Sequence, residues 1–248
     1  SEADGFERSK AAITDVIVLG GDNRSLCERE GKSVRYSGRT DLGLYTCLYE
    51  AAQDGAEHLI ITSFGGPVVN AIPAADIIAQ QKMSVSILGV CASSCGNYIA
   101  PAAAELNVLP FSIWSVHGAP LLVNEDALRE AMTAAGASEE QVERSLSSNV
   151  RLSRYEVELH AAFKARHDIR HGLYDAAQLQ AAQERLGEGP MLYLSRDTAE
   201  DCAPALSIGA YWQVSGADDE KALQRLFPDS SIGEYGALTE GRVCRQGL

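Results

Sequence analysis

The sequence predicts an α/β fold in which a mostly parallel sheet is flanked by helices. Short apolar segments rich in β-branched residues alternate with amphipathic segments over residues 14–117. Strands that alternate with helices of roughly 10 to 15 residues indicate βαβ crossovers, and crossovers join parallel strands. Beyond residue 120 the chain turns polar and rich in Arg and Glu. We therefore expect one domain over residues 1–248, with a helical arm or lid over residues 121–190.

The first predicted strands lie on either side of a polar segment. Residues 14–20 form a β-branched run that ends in glycine, which is typical of a buried strand. Residues 33–38 alternate and predict a second strand. Residues 21–32 between them contain Gly, Asp, Asn and consecutive charged residues, so we expect a surface loop held in place by Cys27.

The rest of the sheet region repeats the alternation. Residues 41–53 carry a wide apolar face and are followed by Gly55, which predicts a helix with a glycine stop. By the same criteria, strands are predicted over residues 58–64, 83–90, 106–109 and 113–117, and helices over residues 68–81 and 94–105.

The predicted arm begins with a helix-capping pattern. Ser138 and Gln141 are spaced as a capping box, and the helical pattern runs to about His167, with a break near Asn149 left open. A further helix is predicted over residues 174–186. A protruding lid over the sheet edge and a solvated structural face both fit these polar helices.

Charge and hydropathy limit the partners of this chain. The net charge of −13 argues against nucleic acid or an anionic membrane surface as the main partner, because both would be repelled. Acidity of this kind also serves solubility alone. No apolar run reaches the roughly 18 residues that a membrane span requires. The amino terminus lacks the parts of a signal peptide, and the chain starts without methionine, so we expect either a mature form or a trimmed one whose targeting segment has been removed.

The cysteines and histidines favour disulfides over metal binding. The six cysteines form an even set, compatible with three disulfides in an exported protein or with buried thiols in a cytosolic one. They are Cys27, Cys47, Cys91, Cys95, Cys202 and Cys244. The five histidines show no paired ligand spacing with cysteine, so we expect no metal site and no cofactor. We expect His160, His167 and His171 on helix surfaces.

Three strand ends carry residues suited to acyl transfer. Ser94 follows a predicted strand and precedes a predicted helix, where the unpaired backbone N–H groups of a first helical turn would face a negative charge. His117 ends a later strand, and Gly65-Gly66 ends an earlier one. Glycine allows close backbone approach to a carbonyl, and a serine with a histidine is the usual pair for nucleophilic hydrolysis. Because the carboxyl ends of parallel strands share an edge, the three should meet.

In order and spacing, these motifs resemble the Clp-type serine peptidase family of the crotonase-like fold. The residues that carry the resemblance are Ile61-Thr62-Ser63-Phe64-Gly65-Gly66-Pro67, Ala92-Ser93-Ser94-Cys95-Gly96 and Ser115-Val116-His117-Gly118. The resemblance implies that Ser94 is the nucleophile, that His117 is its general base, and that the N–H groups of Gly66 and Cys95 form the oxyanion hole. It covers residues 14–120, and it implies a peptide or protein substrate and ring-like homo-oligomers.

The third member of a catalytic triad is not evident. Where the family carries an acid shortly before an Arg-Phe-Leu-Ser segment, this chain has Met191. Asp168, Asp175 or Glu188 could substitute, and we name Asp168 as the candidate acid. Alternatively, a backbone carbonyl orients His117, which leaves a dyad.

Two neighbours of Ser94 affect this interpretation. Ser93 competes as the nucleophile, but the match to Ser-x-Gly favours Ser94. Cys91 and Cys95 straddle the serine and can form a disulfide if their Cα atoms come within about 7 Å. This Cys-x-x-x-Cys arrangement is similar to an exported branch of the Clp-like group, which implies a periplasmic or secreted protein.

Three functions follow from the sequence. The first is a serine hydrolase, most simply a peptidase, which forms an acyl-enzyme on Ser94. The second is an acyl-CoA enzyme on the same fold, which would need no serine nucleophile. The third is a Clp-like scaffold without hydrolase activity, which binds a partner protein through its helical arm.

Overall fold

The computed structural model describes residues 2–167, 191–193 and 242–245. The helices are α1 (Glu2–Gly21), α2 (Leu42–Gln53), α3 (Val68–Gln80), α4 (Glu125–Ala134) and α5 (Glu139–Arg166), and a π-helical segment covers Cys95–Ile99. The strands are β1 (Leu26–Glu30), β2 (Ser33–Ser37), β3 (His58–Ser63), β4 (Ser84–Cys91), β5 (Glu105–Val108), β6 (Ile113–His117), β7 (Met191–Tyr193) and β8 (Arg242–Arg245).

The strands form a mixed sheet that is mostly parallel, as the alternating pattern predicts. The order is β1-β2-β3-β4-β5-β8, while β6 pairs with β4 and β7 pairs with β6. The parallel pairs are β2–β3, β3–β4, β4–β5 and β4–β6. The antiparallel pairs are β1–β2, β5–β8 and β6–β7. The α/β class is therefore confirmed, and the antiparallel strands join the parallel set at its periphery.

The predicted strand over residues 14–20 is wrong, because this segment continues α1. Its buried side chains recur at intervals of three or four residues and form one helical face, which is apolar except for Ser9: Phe6, Ser9, Ile13 and Val16. The β-branched Ile17 and Val18, which favoured a strand, are exposed on the opposite face. Packing of the helix on β4 decides the conformation, since β propensity is a weak preference that tertiary contacts override.

The predicted loop over residues 21–32 is also wrong, because it contains β1. All side chains of β1 after Leu26 are exposed, so the strand has no apolar alternation to reveal it. Backbone pairing with β2 defines it, in register from Leu26 opposite Ser37 to Glu30 opposite Ser33. Cys27 does hold the segment in place, since it lies at disulfide-bonding distance from Cys47 in α2.

The other strands and the first two predicted helices of the sheet region are confirmed to within one or two residues. Asp41 caps α2 by accepting a hydrogen bond from the Gly43 N–H at 2.9 Å. The helix predicted over residues 94–105 is shorter than expected. It is π-helical over Cys95–Ile99, and Glu105 already pairs with Ser84 as the first residue of β5. Strand pairing thus limits the length of the helix.

The predicted capping box at Ser138 is confirmed. The Ser138 N–H donates to Gln141 Oε1 at 2.8 Å and the Gln141 N–H donates to Ser138 Oγ at 3.3 Å, which completes the capping box. α5 continues through Asn149 without a break. The end of α5 lies against α3, where Arg166 donates to both carboxylate oxygens of Asp76 at 3.0 and 2.8 Å. The predicted helix over residues 174–186 lies outside the described residues.

His160 corrects the expectation that the arm histidines lie on helix surfaces. Its exposed fraction is 5 %, and its Nδ1 lies 3.1 Å from the Tyr98 hydroxyl oxygen beneath α5. Burial raises the pKa of Tyr98 well above its usual value. His167 is partly buried and its Nε2 lies 2.6 Å from Asp76 Oδ1. His171 lies outside the described residues.

Over the described ranges, every helix is either too short or too polar to span a bilayer.

Candidate active site

The site lies where parallel strands end at one edge of the sheet. β2 is followed by Thr40, β3 by Gly65-Gly66 and β4 by Ser93-Ser94, while β6 ends at His117. Because these strands are parallel and adjacent, their carboxyl ends face the same side. The backbone thus gathers the predicted residues of three separate motifs at one edge.

Glycine is required where the loops after β2, β3 and β4 meet. Gly65 has a φ of +97°, and a Cβ there would lie 2.6 Å from Ser93 Cβ. A Cβ on Gly66 would lie 2.9 Å from Thr40 Oγ1 and 3.0 Å from Thr40 N. Real Cβ atoms do not approach heavy atoms this closely, so side chains at these two positions would push the loops apart. The Gly-Gly pair therefore permits the contact between the three strand ends.

Ser94 lies at the centre of this contact with only 1 % of its surface exposed. Its Oγ accepts a hydrogen bond from the Gly66 N–H at 2.8 Å. Its hydroxyl donates to the Gly66 carbonyl oxygen. The Thr40 hydroxyl oxygen lies 3.1 Å from Ser94 Oγ. The N–H predicted to face a developing negative charge thus already points at the predicted nucleophile.

The turn before the π-helical segment determines which serine faces this edge. Ser93 has a φ of +55°, in the left-handed region that non-glycine residues seldom adopt, whereas Ser94 is in a helical conformation. Such strained turns cluster at functional sites. In this turn the Cys95 N–H donates to the Ala92 carbonyl oxygen at 3.1 Å. Cys95 would have to release that hydrogen bond to donate to an oxyanion.

The end of β6 is fixed against the π-helical segment. The Trp114 indole N–H donates to the Gly96 carbonyl oxygen at 3.0 Å. A Cβ on Gly96 would lie only 1.8 Å from the Ser115 carbonyl oxygen, so the two backbones are in direct contact. His117 follows Ser115 by two residues in the same strand. The backbone of His117 therefore lies at the same edge as Ser94.

β7 runs antiparallel to β6 beside this edge. Its register sets Met191 opposite His117 and Tyr193 opposite Ser115. The segment that begins at Met191 is therefore next to the histidine strand, with methionine at the position opposite the histidine. The candidate acids Asp168, Asp175 and Glu188 lie outside the described residues.

Two cysteine pairs lie at disulfide-bonding distance. Cys91 and Cys95, which flank Ser94, have Cα atoms 5.2 Å apart and are completely buried. Cys27 and Cys47 have Cα atoms 5.9 Å apart. Cys202 lies outside the described residues, and Cys244 is in β8 opposite Leu106. A pair across the serine turn limits how far that turn can open.

Thr40 is a site residue that the sequence patterns missed. Its loop is shaped in part by Tyr36, whose hydroxyl donates to the Arg39 carbonyl oxygen at 2.7 Å. Burial raises the pKa of Tyr36 well above its usual value, so the hydroxyl stays protonated and remains a donor. The available signal was positional, since Thr40 follows the end of a predicted strand just as Gly66 and Ser94 do.

In the described part of the chain, no three His, Cys, Asp or Glu side chains gather in a way that could hold a metal ion. No protein-family model matches this chain, and no curated protein matches it either.

Proposed function

We propose that this protein is a serine hydrolase, most simply a peptidase, with Ser94 as the nucleophile and His117 as the general base. One observation carries the proposal. The Ser94 hydroxyl lies at the carboxyl edge of the parallel strands with a backbone N–H, that of Gly66, directed at its oxygen at 2.8 Å. Hydrolases that attack carbonyls need such a donor beside the nucleophile, because the carbonyl oxygen becomes negative as the bond forms.

The chemistry follows from these groups. His117 takes the Ser94 proton while Oγ bonds to the substrate carbonyl carbon, and the electron pair of the C=O bond moves to its oxygen. The Gly66 N–H donates to that oxyanion. Collapse of the tetrahedral species expels the leaving group, which takes the proton from His117, and water then hydrolyses the acyl-enzyme by the same steps. At rest the Ser94 proton points to the Gly66 carbonyl oxygen, so rotation about Cβ–Oγ precedes its transfer.

The histidine partner is the open part of the mechanism. Met191 lies opposite His117 in the register, where the resemblance would lead one to expect an acid segment. We therefore propose either Asp168 as the acid or a dyad in which a backbone carbonyl orients the imidazole. A backbone acceptor can hold the correct tautomer but contributes less stabilisation of the imidazolium than a carboxylate does.

We further propose a Clp/crotonase-like fold, a periplasmic or secreted location and assembly into homo-oligomers that act on peptides or proteins. The order of the motifs along residues 14–120 supports the fold, and the mostly parallel sheet is compatible with it. The cysteine pairs support an oxidising compartment, since disulfides persist there and are rare in the cytosol.

A Clp-like scaffold without hydrolase activity is the second candidate. The nearly complete burial of Ser94 favours it, since a substrate carbonyl could reach Oγ only after the loops around it move. In that case the arm built from α4 and α5 would bind a partner protein. The two functions differ in whether Ser94 can be acylated.

Labelling by a fluorophosphonate probe tests the first proposal on the full chain. We expect the wild type to be labelled and Ser94→Ala to lose labelling completely, because the probe phosphonylates the activated oxygen. Ser93→Ala is the matched control for the neighbouring hydroxyl and should keep labelling. His117→Gln should slow labelling by about 10³-fold or more at neutral pH. An unlabelled wild type, or labelling that survives Ser94→Ala, would overturn the hydrolase in favour of the scaffold.

A further inference from the structure

The hydrogen-bond capacity of Ser94 determines the role of Thr40. A serine hydroxyl donates one hydrogen bond and accepts up to two. The Ser94 proton goes to the Gly66 carbonyl oxygen, which can only accept. In the 3.1 Å contact between Thr40 Oγ1 and Ser94 Oγ, the proton must therefore come from Thr40. Two donors, the Thr40 O–H and the Gly66 N–H, converge on one oxygen atom.

Thr40 is held in this position by its own backbone. It is completely buried, and its N–H donates to the Gly65 carbonyl oxygen at 3.1 Å. The absence of a side chain on Gly66 leaves the space that Thr40 Oγ1 occupies, since a Cβ there would lie 2.9 Å away. The Thr40 hydroxyl is therefore preorganised before any substrate arrives, which is the condition under which a donor contributes most to catalysis.

The oxyanion donor inferred from the family resemblance is already engaged. The Cys95 N–H donates to the Ala92 carbonyl oxygen at 3.1 Å within the serine turn. The pairing of Cys91 with Cys95 also restrains the turn that would have to open to release it. The Thr40 hydroxyl already donates to Ser94 Oγ, and it needs neither the release of a backbone hydrogen bond nor the opening of the serine turn.

We propose that the Thr40 hydroxyl is the second oxyanion donor of this site, beside the Gly66 N–H, a role that rests on the proposed hydrolase. Both groups donate to Ser94 Oγ at rest and stabilise the charge on that oxygen as His117 removes its proton. When Oγ bonds to the carbonyl carbon, the charge moves to the carbonyl oxygen on the same carbon. In this tetrahedral adduct Oγ is an uncharged alkoxy oxygen and a weaker acceptor than the oxyanion, so both donors transfer to the adjacent oxyanion.

Substitutions at Thr40, measured as the rate of fluorophosphonate labelling of the full chain, test this role. Thr40→Val keeps the shape and removes the hydroxyl, so labelling should slow by about 10²- to 10³-fold, the usual effect of losing one oxyanion donor. Thr40→Ser keeps the hydroxyl and should label within a few-fold of the wild type. The pH midpoint of labelling should not move in Thr40→Val, since the base is unchanged and only the maximal rate falls.

Thr62→Val is the matched control, because Thr62 is also buried and its hydroxyl donates at 2.7 Å to the Leu88 carbonyl oxygen and not to Ser94. It should lose stability and keep the labelling rate. If Thr40→Val does not fold, Thr40→Ala replaces it in the comparison with Thr40→Ser.

Three outcomes would overturn the role of Thr40. If Thr40→Val labels as fast as the wild type while Ser94→Ala stays unlabelled, the hydrolase stands and the hydroxyl is not a donor to the oxyanion. If Thr40→Ser is as slow as Thr40→Val, the effect is one of packing. If the wild type itself is unlabelled, the hydrolase fails and the role of Thr40 fails with it.

Discussion

Substitution of Gly96 by alanine should separate the serine turn from the strand that carries His117. A Cβ at Gly96 would lie 1.8 Å from the Ser115 carbonyl oxygen, where real Cβ atoms keep at least 3.0 Å. The π-helical segment and β6 would have to move apart by more than about 1 Å, since overpacked backbone contacts relieve only by such shifts. The Trp114 indole hydrogen bond to the Gly96 carbonyl oxygen, now 3.0 Å, would lengthen with them.

The expected magnitudes follow from this displacement. Overpacking of a filled core costs about 1–3 kcal/mol, and we expect about 3 kcal/mol of lost unfolding free energy because both contacting groups are backbone. A misplacement of about 1 Å in an active site can cost about 100-fold in rate. Gly96→Ala should therefore lose about 3 kcal/mol in urea unfolding followed by circular dichroism, and label with the fluorophosphonate about 100-fold more slowly.

Gly20 provides the matched control for this substitution. It lies in α1, and no heavy atom lies within 4 Å of the position that an alanine Cβ would take, so alanine there meets only solvent. Alanine is the better helix former, and Gly20→Ala should raise stability by about 0.5 kcal/mol without changing labelling. The same substitution should therefore lower the unfolding free energy at position 96 and raise it at position 20. A Gly96→Ala protein as stable as the wild type would refute the close contact between the serine turn and β6.

Two further predictions concern stability. Replacing Cys27 and Cys47 together by alanine should lower the unfolding free energy by about 3 kcal/mol, because a cross-link over a separation of 20 residues lowers the conformational entropy of the unfolded chain. Equal urea midpoints for variant and wild type, measured without reductant, would contradict this prediction. Burial lowers the pKa of His58, whose Nε2 lies 2.7 Å from Ser86 Oγ. Below about pH 6.5 the unfolded chain therefore binds more protons than the folded one. As a result, the free energy of unfolding should fall as pH decreases from 7 to 5. His58→Gln should flatten that dependence in urea titrations at each pH, and an unchanged slope would show that another group is responsible.

The correctly predicted elements share a periodicity that burial imposes. β3 and β4 are buried along most of their length, and α2 has a wide apolar face with Asp41 as its cap. In each case the local pattern and the tertiary structure agree. The predictions failed where the two differ. The β-branched end of α1 is helical because its other face packs on the sheet, and β1 is a strand although nearly all its side chains face solvent.

The site residues also divide into those that a local sequence pattern reveals and those that only tertiary contacts reveal. Gly66, Ser94 and the strand end at His117 could be found from sequence because each stands in a recognisable local pattern, a strand followed by a turn of small residues. Thr40 has no such pattern. Its contact with Ser94 Oγ joins residues 54 positions apart in the chain and exists because β2 pairs with β3 and β3 pairs with β4.

The sequence by itself determined the α/β class, the positions of most strands along the chain and the residues that follow each one, because these depend on local periodicity and turn residues. Only the tertiary structure decided which strand ends touch, that the Gly66 N–H and the Thr40 hydroxyl both reach Ser94, and that the Cys95 N–H is already engaged. The physical reason is that a hydrogen bond depends on positions accurate to a few tenths of an ångström. Those positions are set by sheet register and by glycine contacts between segments far apart in the chain.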